Sequence, residues 1–153
     1  MIIKMKHNVI ETAKEIIAVQ TAAYLVEANI INYKDLPPLK ENIYDIMNAE
    51  EVFLGLYQNE RLGALLSYNE TDSSIEICRL VVLPSLFGKG FASKLLVSLL
   101  NSSSKQFFVH TAAKNVPAIQ LYKKFGFIIK KTFKVESELE IVKLEKEKSA
   151  HSS

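Results

Sequence analysis

Pro84-Ser85-Leu86-Phe87-Gly88-Lys89-Gly90-Phe91-Ala92-Ser93-Lys94-Leu95-Leu96 sets a glycine-rich turn directly between an apolar, β-branched run and a helical pattern. The run Ile75 to Leu83 reads as a buried strand that Pro84 ends. The spacing of Phe91, Leu95, Leu96, Leu99 and Leu100 reads as a helix facing a core. Backbone N–H groups of Gly88 to Ala92 would then point unpaired out of the first helical turn, where the macrodipole also favours negative charge. A pyrophosphate fits such a turn. Lys89 and Lys94 either add positive charge to it or lie solvated on the helix. Strand-to-helix turns need glycine for backbone reasons about as often as for phosphate, so this stretch alone does not decide between the two.

The second segment, Asn115-Val116-Pro117-Ala118-Ile119-Gln120-Leu121-Tyr122-Lys123-Lys124-Phe125-Gly126-Phe127, follows one strand further on, after Lys105 to Thr111. Asn115 reads as a helix N-cap, and Gly126 as the left-handed residue that closes the helix before Phe127 begins a strand. The two segments together resemble the GCN5-related N-acetyltransferase family, in which the first motif is Gln/Arg-x-x-Gly-x-Gly/Ala and the second Asn-x-x-Ala-x-x-x-Tyr-x-x-x-Gly-Phe. The second is complete here in Asn115, Ala118, Tyr122, Gly126 and Phe127. The first is matched at Gly90 and Ala92, but Phe87 stands where the family usually carries a basic or amide side chain toward the pyrophosphate, with Lys89 a candidate to compensate. The resemblance is specific over residues 75 to 127 and topological elsewhere.

The resemblance implies a mixed α/β sheet whose central parallel strands, the fourth and fifth, splay apart to admit acetyl-CoA as co-substrate. By the same token Leu80, Val81 and Val82 run beside the pantetheine arm, and their backbone groups pair with its amides or hold an oxyanion. Phe87, Gly88, Lys89, Gly90, Phe91, Ala92 and Ser93 surround the pyrophosphate, and Asn115, Ala118 and Tyr122 contact the cofactor from the second motif. A tyrosine inside a helix is otherwise most simply a core residue. In the family this position faces the cofactor sulfur and protonates the departing thiolate, a plausible transfer between a phenol near ~10 and a thiol near ~8.5. Glu76 lies eleven residues before Phe87, a spacing similar to that of the general base in some members. Flanked by Ile75 and Ile77, its carboxyl is expected to be desolvated, which suits a base; a solvent-facing residue is the plain alternative. Many members use water chains instead. His110 ends the strand before the second motif and reads as a hydrogen-bonded strand residue, outside the catalytic set.

The 153 residues fit one domain, 1-153, with about 145-153 a flexible tail, since Glu145 to Ser153 is charged and then small and polar. Hydrophobic residues at 48% and charged residues at 24% exclude disorder for the body of the chain. A net charge of +2 without a basic stripe interleaved with aromatics argues against nucleic acid. The opening Met1-Ile2-Ile3-Lys4-Met5-Lys6 lacks the apolar core of a signal peptide, and no window is long and apolar enough to span a bilayer. A cytoplasmic location is therefore expected. Cys78, the single cysteine, cannot form an internal disulfide and is expected to be a small core residue. No cluster of His, Cys and carboxylates has metal-ligand spacing.

The remaining pattern predicts strand 2 to 7, a long helix capped by Asn8 and running to about Asn29, and a shorter helix from Leu39 to Asn48 after Pro37-Pro38. It then predicts a hairpin of Glu51 to Tyr57 and Leu62 to Tyr68, and final strands Phe127 to Val135 and Leu139 to Leu144. The resulting order is β-α-α-β-β-β-α-β-α-β-β, which matches the family. The acceptor, a primary amine of a small molecule or peptide, would be shaped by residues 8 to 48 and the last hairpin. Tyr24, Glu27, Tyr33 and Asp35 are available there as an aromatic and acidic pocket for a cation, or as plain surface. A homodimer is left open. Phe87 is the one feature that favours an alternative, a CoA-binding sensor without turnover.

Overall fold

The computed structural model describes residues 1–136 and 139–147. Among the described residues, seven strands and four α-helices follow one another as β1 (Ile2–Lys4), α1 (Ile10–Ile31), α2 (Ile43–Met47), β2 (Val52–Gln58), β3 (Arg61–Glu70), β4 (Ser74–Val82), α3 (Phe91–Leu100), β5 (Gln106–Ala112), α4 (Val116–Lys124), β6 (Ile128–Glu136) and β7 (Leu139–Lys146). This is the element order the sequence predicts. The strands form one sheet in the order β1-β2-β3-β4-β5-β7-β6. All pairs are antiparallel except β4 with β5.

Each face of the sheet buries its own core. Ile16, Ile31, Ile46 and Phe53 lie between the sheet and α1 and α2, while Leu95, Leu96, Leu99, Tyr122 and Phe127 lie between the opposite face and α3 and α4. The predicted stripe of α3 is buried as its spacing requires: Leu95 and Leu96 are fully enclosed. Each such leucine contributes roughly 1.5–3 kcal/mol relative to an exposed one.

Several boundaries differ from the sequence reading. Strand β1 ends at Lys4 instead of residue 7. Helix α1 is capped by Val9, not Asn8, with no side-chain bond, and it runs on to Ile31 until Asn32 adopts the left-handed conformation (φ 55°). The predicted second helix is split: Pro37–Lys40 forms a 3-10 turn, and α2 starts afresh because Asn42 and Asp45 cap one another's backbone N–H groups. In the β2–β3 hairpin Asn59 and Glu60 both have positive φ, the two-residue turn whose twist matches the strands. Glu145 and Lys146, expected to fray, pair with Phe108 and Phe107 as part of β7. Residues 148–153 of the expected tail lie outside the described residues.

Strand β4 departs from simple alternation at one point. Ser67 of β3 pairs with Arg79 but Tyr68 pairs with Ile77, so Cys78 is an extra residue in a β-bulge. The phase of the strand changes there: Ile75 and Ile77 pack on the α3–α4 side, whereas Val81 packs on the α1–α2 side. Cys78 is consequently exposed and not a core residue.

Candidate functional site

Strands β4 and β5 pair only from Ser74 with Gln106 to Ile77 with Val109. Beyond that rung, residues 78–82 of β4 and 110–112 of β5 diverge without pairing to one another, and a cleft of about 450 Å³ opens beside them. Its walls are the inner stripe of α1 (Ala23, Val26, Glu27 and Ile30), the end of β4, the glycine turn and the start of α4.

The turn that sequence reading singled out forms the cleft's mouth. Gly88 and Gly90 both take left-handed φ (77° and 80°), and a Cβ at either would meet nothing within 4 Å. The requirement for glycine here is conformational, and it leaves the approach to the backbone open. Helix α3 begins at Phe91, three residues later than predicted, with Gly90 as an N-cap that contributes no side-chain bond. The first-turn N–H groups therefore lack both an intrahelical partner and a side-chain cap, and donors of this kind suit an anion. The turn is also held from below: a Cβ on Gly63 of β3 would lie 2.7 Å from Leu86 and 2.9 Å from Phe91, so this glycine admits both side chains against the sheet.

At the second motif, Asn115 is buried and its Oδ1 accepts the Ala118 N–H at 3.3 Å, the predicted N-cap. The helix closes as predicted too. Gly126 (φ 94°) donates to the Lys123 carbonyl and Phe127 to that of Tyr122, both satisfying the last turn. Tyr122 is 4% exposed, stacks edge-on against Phe127 with centroids 5.3 Å apart, and lines the cleft. Burial, then the Glu27 carboxylate, pushes its phenol well above the ordinary range, so it remains a protonated donor.

The cofactor residues expected from the sequence meet in this one cleft, with one exception. Leu80, Val81, Val82, Phe87, Gly88, Gly90, Phe91, Ala92, Ser93, Asn115, Ala118 and Tyr122 all line it, and Lys89 is exposed outside. Lys94 turns toward the Phe91 ring, 5.7 Å from its centroid. Glu76 also lies outside the lining, one rung before the last pair of β4 and β5; its carboxylate stands 3.6 Å from His110 Nδ1. His110 in turn packs edge-on against Phe108 and Phe133. Of the four residues considered for an acceptor pocket, Glu27 lines the cleft and Tyr24 is buried beside it, its phenol raised by burial and then by Glu27. Tyr33 instead donates to Glu136 at 3.0 Å, and Asp35 is exposed near Lys40.

Sequence reading missed the polar cluster behind the cleft. Arg79, 8% exposed, donates to Glu41 at 2.6 and 3.0 Å, to Glu51 at 2.8 and 3.1 Å and to Gln20 Oε1 at 2.9 Å. Burial pushes the Glu51 carboxyl up, but the bonds from Arg79 and Ser67 outweigh it and hold the group below its ordinary value. The bulge at Cys78 is what turns Arg79 toward α1, and the only trace of this in the sequence is one arginine inside an apolar strand. Among the described residues no group of three or more His, Cys, Asp or Glu is arranged to hold a metal, and no helix is long and apolar enough to cross a membrane.

The Acetyltransferase (GNAT) family model matches residues 14–127, the stretch that carries both motifs and the diverging strands. The UPF0157 protein YqkA of Bacillus subtilis is 38% identical over 129 residues, which is 83% of this chain; the chain spans only 38% of that relative's length. Among solved structures, an N-acetyltransferase from Staphylococcus aureus Mu50 superposes with a TM-score of 0.72 at 22% identity, covering 96% of this chain and 97% of the other. The PaiA N-acetyltransferase of Thermoplasma acidophilum, solved in complex with coenzyme A, gives a TM-score of 0.67 at 18% identity over 97% and 99%. At these identities the structures speak for the fold, while the family model speaks for descent over three quarters of the sequence. The chain belongs to the GNAT acetyltransferase family.

Proposed function

We propose that the protein transfers the acetyl group of acetyl-CoA to a primary amine of a small molecule or peptide by direct attack. The observation that carries this reading is the cleft itself: both cofactor motifs and Tyr122 converge on it where β4 and β5 part. The pyrophosphate of acetyl-CoA would sit on the free N–H groups at the start of α3, with Asn115 and Ala118 on the opposite wall. Past Ile77 the β4 edge facing β5 has no strand partner, so its backbone groups are available to the pantetheine amides and to a developing oxyanion.

In this mechanism a neutral amine attacks the thioester carbonyl, and the C–S bond breaks as Tyr122 donates a proton to the leaving sulfur. Burial that keeps the phenol protonated also raises the basicity of a thiolate in the same cleft, so transfer between them stays accessible. Glu76, with His110 beside it, is the proposed base that removes the proton of the incoming ammonium. Its place next to the last paired rung puts it near the point of divergence, though outside the cleft lining.

Phe87 favours a second reading, a CoA-binding sensor without turnover. Its ring is 49% exposed at the mouth of the cleft, where it offers the pyrophosphate neither charge nor hydrogen bond. Release of free CoA from acetyl-CoA, measured against polyamines, amino acids, aminoglycosides and peptides, tests both. Turnover with any of these amines supports the transferase, whereas acetyl-CoA binding without amine-dependent release supports the sensor.

A further inference from the structure

The cleft contains one feature that acetyl-CoA does not account for. Among the described residues, Glu27 is the sole carboxylate lining the cleft, and no lysine, arginine or histidine lines it with Glu27. Among the described residues none forms a hydrogen bond or ion pair with this side chain, although Arg79, Lys105 and Lys40 all find carboxylates elsewhere. A partly buried carboxylate without a partner is a cost the fold carries, because desolvation disfavours the charge and nothing in the protein offsets it. Burial accordingly raises its pKa. Ala23, Val26 and Ile30 supply an apolar stripe around it on α1. Glu27 shares the cleft lining with Tyr122, and Tyr24 stands one helical turn before it on α1; its charge opposes ionisation of both phenols.

We infer that Glu27 receives the acceptor amine as its ammonium ion, making it the residue by which this cleft selects cationic alkylamines. The inference rests on the acetyl-transfer reading and adds the charge class of the acceptor and the side chain that reads it. The ammonium supplies the missing ion-pair partner, and the apolar neighbours on α1 take the carbon chain. Glu27 then acts in binding, while deprotonation and attack follow the route already described.

The test uses two nucleophiles, the best alkylamine found in the acceptor panel and hydroxylamine, which is uncharged at neutral pH. In Glu27→Gln the KM for the alkylamine should rise roughly ten- to hundred-fold, the weight of a charge-assisted bond. Neutralising Glu27 also acts on the phenol of Tyr122, but equally for both nucleophiles, so kcat/KM for the alkylamine relative to hydroxylamine should fall by the same factor while the acetyl-CoA affinity stays close to the parent's. Glu27→Asp keeps the charge one methylene short and should give an intermediate KM. An unchanged alkylamine KM in Glu27→Gln overturns the inference. Equal loss with both nucleophiles, or a weakened acetyl-CoA affinity, also overturns it, since Glu27 would then be part of the cofactor wall. A parent protein that binds acetyl-CoA yet acetylates neither nucleophile defeats the transfer reading itself, and this inference with it.

Discussion

At the scale of single residues, the two proposed proton carriers have different surroundings and should fail differently. Tyr122 is enclosed, lines the cleft and is kept protonated by burial. Its ring packs against Phe127, so Tyr122→Phe keeps the packing and removes only the hydroxyl. Turnover should fall by ~10²–10⁴-fold with acetyl-CoA affinity nearly unchanged, as steady-state kinetics and calorimetry would show. An unaltered rate, with chemistry shown to limit it, would remove Tyr122 from the mechanism. Glu76 is partly exposed, with His110 Nδ1 3.6 Å from its carboxylate. Glu76→Gln should therefore depress the rate mainly where the acceptor is protonated, and the defect should shrink as pH rises and the free amine becomes abundant. If the two pH–rate profiles overlay, water or another group is the base.

At the scale of elements, the bulge in β4 ties the cleft to the helical layer above it. By turning Arg79 to the α1–α2 side, it lets one guanidinium join β4 to Glu41 ahead of α2, to Glu51 just before β2 and to Gln20 of α1. Arg79→Leu would leave two carboxylates facing one another without their cation, and such losses cost roughly 3–5 kcal/mol. Thermal unfolding should show a large drop in Tm for a chain of this size. The pH dependence has a definite sign. Glu51 has its carboxyl held low in the folded state, so its share of stability is present above the ordinary glutamate value near ~4.3 and disappears as pH falls through the lower folded value. Denaturant titrations of the parent between neutral pH and that acid window should show this loss, and Glu51→Gln should flatten it; parallel curves would mean that Glu51 is not the group responsible.

At the scale of the whole molecule, what was legible in the sequence was what is local. The glycine turn, the Asn115 cap and the Gly126 closure are each decided by neighbours within a few residues; the cap and the closure stand as read, and the turn lies where it was read with α3 starting at its far end, at Phe91. The Arg79 cluster joins residues 20, 41, 51 and 79, and the bulge that turns Arg79 inward leaves no mark in the hydrophobic pattern, so neither could be read. Cys78 looked apolar in its strand and lies exposed for the same reason. Glu27 could be named but not chosen over Tyr33 or Asp35, because only the packing of α1 over the diverging strands brings it to the cleft. That assembly predicts a global response to cofactor. Acetyl-CoA at about 100 times its Kd should stabilise the fold by ~2.7 kcal/mol, a rise in Tm of roughly 5–10 °C. Gly90→Ala and Gly90→Glu share the left-handed backbone, at a cost of roughly 1–2 kcal/mol each, and neither Cβ meets a neighbour. Both apo proteins should thus lose a similar few degrees by differential scanning calorimetry. Only Gly90→Glu places a carboxylate against the phosphates, so it should lose the acetyl-CoA shift while Gly90→Ala keeps most of it. A full shift in Gly90→Glu would mean that the pyrophosphate lies somewhere other than the start of α3.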